Sequence, residues 1–443
     1  MSAFTEGLRE LRRYPSAVAG LLIIAGLLGV AAYAMIAIPY AKALELWRGG
    51  DQWQQFPVNA RPVWVNWFRA DDLPETLRVP VDTAAVTEEQ YEGARRMVLP
   101  IEFDYDYREF PSELNLFLDA RFTELEPFVR LTWHTPDGRA VPLGGRRVER
   151  GERISISQDW ALERRLGQLP HIGLLADPAA TAAPRALPGR YRLEIEAVLF
   201  EPDATLDATL VAYGRVHGLA GTDHQRRDLM VALLWGTPVA LAFGLIAAVG
   251  TTLTTLVIAA AGVWFGGWLD SLIQRITEVN MILPVLPILV MVGTLYSTSI
   301  WLMLGVVVAF GVFSASIKMY RAMLLPIREA PYIEAARAYG VGNTRMILRY
   351  MIPRILPVLI PNFVTLIPSF VFLEASLAVL GLGDPELPTW GKVMNDAQGE
   401  SALYHGYYYW VVGPAVLLML TGLGFSMLGF ALDRIFNPRL RMI

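Results

Sequence analysis

Hydrophobic and polar positions along the chain follow two regimes. Five stretches of at least 18 residues contain no Asp, Glu, Lys or Arg: Tyr14 to Ala41, Leu229 to Leu269, Val279 to Ile317, Ile355 to Leu373 and Ser401 to Leu432. A bilayer core of roughly 30 Å needs about 20 helical residues, so each stretch predicts a membrane crossing. The third would form a helix of about 58 Å, nearly twice that thickness. Its middle carries Tyr296-Ser297-Thr298-Ser299, which predicts two crossings joined by a tight turn. In the second stretch, the threonine-rich Thr251 to Thr255 is tolerable within a helix, so one crossing with an amphipathic lead-in is expected there. Six crossings result.

Between the first and second crossings the pattern changes to period two. Alternation at Phe128 to Trp133, at Ile154 to Ser157 and at Tyr191 to Glu196 predicts strands, and Pro136-Asp137-Gly138 and Pro188-Gly189 supply turns. Residues Pro80 to Val216 suffice for one small antiparallel sandwich. Ahead of it, Trp47, Trp53, Trp64 and Trp67 follow directly on a crossing, where indoles favour the headgroup region; an interfacial anchor is expected, with a ligand-stacking surface as the other reading.

Composition sharpens this division. Hydrophobic residues make up 54% of the 443, charged residues only 18%, and mean hydropathy is +0.38. Of the 80 charged residues, 53 lie between Lys42 and Asp228, leaving 27 for the other 256 positions. A wholly soluble enzyme is excluded, as is a disordered chain. The net charge of −4 carries no nucleic-acid signature, and zero cysteines remove disulfides, thiolate metal clusters and a Cys nucleophile.

Basic residues near crossings set orientation. Arg9, Arg12 and Arg13 precede the first crossing. Lys318, Arg321, Arg328, Arg337, Arg345, Arg349 and Arg354 lie between the fourth and fifth, against Glu329 and Glu334. Arg434, Arg439 and Arg441 follow the sixth, whereas Gly381 to Tyr407 holds one Lys against Asp384, Glu386, Asp396 and Glu400. Both termini are therefore expected in the cytoplasm. A signal peptide ending near Ala41-Lys42-Ala43 is the other reading of the first stretch, but a 28-residue uncharged run exceeds the usual h-region. Either way, residues 42–228 are expected outside the cytoplasm.

The basic segment between crossings four and five, residues 326–353, is the most informative. Pro331 suits a first helical turn, Glu334-Ala335-Ala336 continues the helix, and Gly340 can end it in the left-handed conformation. Asn343 can cap a second helix, Thr344 to Ile352, that runs into Pro353. Paired alanines permit close approach to the first helix.

Glu334-Ala335-Ala336, Gly340 and Ile352-Pro353 resemble the EAA loop of ABC-importer permeases. Other segments narrow the resemblance to the dipeptide/oligopeptide (DppC/OppC-type) family. Gly221-Thr222-Asp223 with Arg227-Asp228 resembles its signature before the second crossing, and Gly266-Gly267-Trp268-Leu269-Asp270 with Arg275 a later one. Phe372 to Leu377, Leu380 to Gly383 and Trp390-Gly391 are similar to its fifth crossing and outer loop, and Asp433-Arg434 with Asn437 to Leu440 to its C-terminal end. The chain departs from the pattern in having Arg226 for a usual Gly, Tyr350 for His and Arg354 for Asn. The insert at Lys42 to Asp228 is much larger than the short outer segment of typical members, and the resemblance says nothing about it.

The resemblance implies a polytopic α-helical membrane protein with six transmembrane helices in the type I ABC-importer permease fold, with a β-rich extracytoplasmic insert between helices 1 and 2. The implied division is 1–41, with the cytoplasmic N-terminus and first helix; 42–228, the insert; and 229–443, the permease core. It implies a location in the bacterial inner membrane and a role in ATP-driven import of peptides or similar small solutes. Implied partners are a second homologous permease, two cytoplasmic ABC ATPases and an extracytoplasmic substrate-binding protein. Glu334, Ala335, Ala336, Arg337, Gly340 and Pro353 would then couple to the ATPases. Phe370 and Glu374 are candidates for the translocation pathway, because a charge within a crossing is a functional hypothesis by default. A hydrogen-bonded glutamate in the bundle interior is the competing reading.

The chain itself is expected to be non-catalytic and to hold no cofactor, with ATP and Mg bound by partners. No Walker A pattern occurs, since Gly391-Lys392 is followed by Val393. His217, Asp223 and His224 offer three ligand types without a fourth, and no metal site is expected. The rival class is a membrane-anchored extracytoplasmic sensor or assembly factor with a passive helical bundle. It accounts better for the insert and worse for the ordered motifs.

Overall fold

A computed structural model describes residues 14–91, 94–180 and 184–436. Arg9, Arg12 and Arg13, and the C-terminal Asn437 to Leu440 with Arg441, lie outside the described residues. Two units divide the chain: Gly49–Met230, and Met1–Arg48 with Val231–Ile443.

The first unit is a sandwich of two antiparallel sheets. Its strands are β1 Leu77–Pro80, β2 Thr87–Tyr91, β3 Ala94–Tyr105, β4 Glu113–Arg121, β5 Phe128–His134, β6 Ala140–Arg147, β7 Glu152–Ser155, β8 Gly189–Leu199 and β9 Thr205–Tyr213. One sheet has the order β1-β9-β4-β7, the other β2-β3-β8-β5-β6. Alternate residues point inward: Tyr191, Leu193, Ile195 and Ala197 of β8 meet Leu114, Leu116 and Leu118 of β4 in one core. Trp133, Phe103 and Tyr191 pack as an aromatic group within it. The alternation at Phe128 and Tyr191 becomes β5 and β8, whereas that at Ile154 stops early. Its strand ends at Ser155 and a 3-10 turn, Ile156–Gln158, follows.

The second unit is helical. In chain order its elements are α1 Pro15–Ala37, α2 Tyr40–Arg48, α3 Leu229–Phe265, α4 Gly267–Ile282, α5 Val285–Leu295, α6 Ile300–Val312, α7 Ala315–Arg328, α8 Pro331–Ala338, α9 Asn343–Leu382, α10 Trp390–Gly399 and α11 Tyr409–Phe436. Among the described residues, α1, α3, α9 and α11 are each long and apolar enough to cross a bilayer. The pairs α4–α5 and α6–α7 meet the same criterion jointly but bend by 78° and 42°. The break between α5 and α6 falls at 296–299, where polar residues interrupt the run. The larger bend comes at Leu283-Pro284, because Pro284 lacks the N–H that would continue α4. Small residues let α1 and α11 touch: a Cβ on Gly20 would lie 2.7 Å from the Gly424 carbonyl oxygen.

The tryptophans divide unexpectedly. Trp47 and Trp53 are buried, the latter against Phe56, whereas Trp67 is exposed. The first two rings are enclosed by protein, so an interfacial role does not extend to them.

Candidate functional site

The expected coupling loop is a short helix seated on the end of the bundle. Pro331 occupies its first turn, Glu334 lies in that turn, and Arg337 lies in the last, matching the helix dipole at both ends. Its C-terminus is a Schellman motif. Gly340 adopts φ +75°, its N–H donates to Arg337 O at 3.0 Å, and the Val341 N–H donates to Ala336 O at 3.1 Å.

Ile333 and Ala336 face inward. They join Leu256, Ala260 and Val263 of α3, Tyr320 and Leu324 of α7, and Met346 and Met351 of α9 in one apolar cluster. Glu334, Ala335, Ala338 and Tyr339 face outward. The paired alanines thus do different work: Ala335 keeps the outer surface low, and Ala336 fits the helix against the bundle.

Trp264, which no sequence motif singled out, braces this loop. The Arg337 guanidinium lies 4.9 Å from the ring centre of Trp264, and the Trp264 indole N–H donates to Asn343 Oδ1 at 3.1 Å. Asn343 is therefore not a side-chain cap; Gly342 occupies the N-cap position and the Asn343 side chain serves Trp264. Arg321 makes a bidentate pair with Asp270, with Nη2–Oδ2 at 2.7 Å and Nε–Oδ1 at 2.8 Å, which staples α4 to α7. Arg275, which shares the resembled segment with Asp270, pairs with Glu278 at 3.0 Å.

Pro353 does not end its helix. Met346–Met351 forms a π-turn, and Pro353 is the second residue of the α-helical segment that begins at Ile352. At that position its missing N–H removes no needed bond, and the widened turn accommodates the ring, so α9 continues to Leu382.

The motif from Gly221 to Asp228 lies in the sandwich unit and is a closed turn. Thr222 is fully buried, its hydroxyl donating to Pro57 O at 2.7 Å and accepting the Ala60 N–H at 2.9 Å. Asp223 Oδ1 accepts the N–H groups of Gln225 and Arg227, each at 2.9 Å, and Oδ2 receives Arg227 Nε at 2.6 Å. Gly221 takes φ +80°, and its carbonyl accepts the Leu229 N–H at 3.0 Å. Asp228 Oδ1 accepts the Met230 N–H at 2.8 Å, capping the start of α3. Burial pushes the Asp228 carboxyl up and the neighbouring His217 imidazole down, each partly offset by the other.

Arg226, where the resembled family has glycine, adopts φ +66°. Its Nη1 donates to Phe56 O at 2.7 Å, its Nη2 to Glu113 Oε2 at 2.7 Å, and its guanidinium lies 4.6 Å from the Tyr213 ring centre. Both carboxylate oxygens of Asp223 are committed to this turn, and among the described residues no group of three or more His, Cys, Asp or Glu is placed to hold a metal ion.

Within α9, Glu374 is buried and borders a small cavity lined also by Phe243, Thr298, Met303 and Asp384. Phe370, one turn earlier, packs against the cluster that holds Phe243, Leu289 and Met303. The structure brings these two together on an interior face and keeps them apart from the α8 residues.

Residues 240–442 match the family described as "Binding-protein-dependent transport system inner membrane component". The chain is similar to the glutathione transport system permease protein GsiD of Pectobacterium atrosepticum, with 30% identity over 229 residues covering 50% of this chain and 72% of that protein. It is also similar to the peptidoglycan transport system permease protein YejE of Agrobacterium fabrum, 30% identical over 220 residues, 49% of this chain and 56% of that one. A putative peptide permease protein of Brucella suis is 28% identical over 220 residues, 49% of this chain and 72% of the relative. The sandwich unit lies outside the residues that match the family.

Proposed function

Because this chain belongs to the family of binding-protein-dependent transport system inner membrane components, as a permease of the peptide-transport kind, we propose that it forms half of the translocation pathway of an ATP-driven importer. The other half is a second, related permease. Two cytoplasmic ATPases drive the pair, and an extracytoplasmic binding protein delivers a peptide or similar small solute. The four long helices, with each bent pair counted as one crossing, make six, with both termini in the cytoplasm and residues 42–228 outside.

One observation carries the coupling step: α8 is held to the bundle by Ile333 and Ala336 while Glu334, Ala335 and Tyr339 stay outside. A helix seated this way transmits a push from a docked ATPase to α3, α7 and α9 together, since all three meet under it. The Asp270–Arg321 pair and the Trp264–Asn343 bond keep those helix ends from yielding separately. In this reading, closure of the ATPases moves α8 and switches the pathway between inward and outward access. Glu374 and Phe370 then belong to the interior wall that changes shape.

Glu334→Lys tests the reading. Its side chain is exposed, so the permease folds normally, while ATP hydrolysis stimulated by loaded binding protein falls at least tenfold in the reconstituted complex. Unchanged stimulation would overturn the assignment of α8 as the coupling element.

A further inference from the structure

The sandwich unit carries an exposed apolar patch that its own core does not use. Trp67 is 80% exposed, Phe68 81%, Leu219 68% and Trp64 38%. Trp64 and Trp67 stand three residues apart on the 3-10 helix Val63–Phe68, whose three-residue period puts them on one edge. The Trp64 indole N–H donates to Leu219 O at 3.0 Å, which fixes that ring beside Leu219. Exposed rings in sequence with an already well-packed core mark a contact surface.

The connection to α3 indicates what covers it. Leu219 is two residues before Gly221, and the Gly221 carbonyl accepts the N–H of Leu229, the first residue of α3. At about 3.5 Å per residue, Leu219 therefore lies within roughly 10 Å of the start of that helix. From Leu229 onward α3 carries no charged residue, so its apolar character begins at its first turn. The headgroup layer beside a bilayer core is several ångströms deep on each side, and it is where amphipathic indoles reside.

We infer that Trp64, Trp67, Phe68 and Leu219 form a membrane-interface foot through which the sandwich unit contacts the lipid headgroup layer. The binding is aromatic in character. Asp71 and Asp72 follow the patch closely, and Arg69 is engaged with Glu109 at 3.3 Å, so attraction to anionic lipid is not its basis. The inference requires only that α3 lies in a bilayer, and it is independent of the transport reading.

The absence of cysteine makes the test direct. Phe68→Cys in the full-length chain is labelled with a polarity-sensitive fluorophore and reconstituted in nanodiscs containing headgroup-nitroxide lipid. Asp203→Cys, at the exposed turn between β8 and β9, is the control on the same unit. The label at 68 is expected to be quenched at least threefold more strongly than the label at 203, in neutral as well as anionic lipid, and to remain so in high salt. Equal quenching at the two positions would overturn the inference. Loss of the difference at high salt would overturn its aromatic basis. A label at 68 that ignores nitroxide lipid but responds to added binding protein would reassign the patch to a protein partner. Trp67→Ser gives a fold-independent check, since its exposed side chain leaves the core intact and should weaken the quenching at 68.

Discussion

Arg226 Nη2 lies 2.7 Å from Glu113 Oε2, and both side chains are largely buried, although Arg226 has a backbone conformation that suits glycine. Glu113 begins β4, and Arg226 sits in the turn that leads into α3. The unfavourable φ is offset by a charge-assisted hydrogen bond, a second bond to Phe56 O and the Tyr213 face.

Two substitutions separate the opposing contributions. Arg226→Ala removes the clamp and keeps the strained φ, which should destabilise the sandwich unit by about 2 to 3 kcal/mol. Arg226→Gly removes both and should be less harmful by about 1 kcal/mol. Thermal unfolding of the full-length chain should therefore rank native above Arg226→Gly above Arg226→Ala. An alanine variant as stable as the glycine one would show that the φ carries no cost.

The adjacent alanines of α8 should respond differently to bulk. Ala335→Trp adds a side chain on the outer face, so folding should be unaffected while ATPase association is blocked. Ala336→Trp presses into the cluster of Leu256, Tyr320 and Met346 and should cost about 1 to 3 kcal/mol of stability. Co-purification of the ATPase, set beside melting of the permease alone, distinguishes the two. Loss of association with equal unfolding in both variants would contradict the division of faces.

Glu201 gives a pH-dependent element in the sandwich. Its carboxylate accepts the N–H groups of Thr123 and Glu124, each at 2.6 Å, and of Leu125 at 2.7 Å, and those bonds hold its pKa below the ordinary 4.5. A depressed carboxylate contributes stability that is complete above its unfolded value and disappears as pH falls through the folded one. The amides of residues 123–125 should therefore be protected from hydrogen exchange near neutrality and lose that protection only as pH falls below the ordinary carboxylate range. In Glu201→Gln the protection should be weak at every pH; a pH-independent profile in the native chain would refute the role.

What sequence could reveal depended on how local each cause was. Alternation made β5 and β8 legible, since period two directly encodes a half-buried strand. Uncharged runs located the long helices, and Glu334-Ala335-Ala336 with Gly340 located α8 and its left-handed end. Pro353 misled because the π-turn that accommodates it is set by the packing of Met346, Ile347 and Met351, not by a local signal. Asn343 looked like a cap, but its acceptor is used by Trp264, 79 positions away. Trp47 and Trp53 resembled Trp67 in sequence context, and only their burial in the folded chain distinguishes them from it. Arg226 did leave a trace, a large side chain at a family glycine position, although its partner Glu113 left none.

The passage from β9 to α3 contains no slack. β9 is laddered on both edges, to β1 and β4, and the residues after it are pinned at Thr222, Asp223, Arg226 and Arg227 before the helix begins at Leu229. These residues are therefore a folded edge of the sandwich unit and not a loose linker, so replacing residues 214–228 with a flexible glycine-serine segment would cost that unit its buried Thr222 and its Arg226 clamp and lower its own stability.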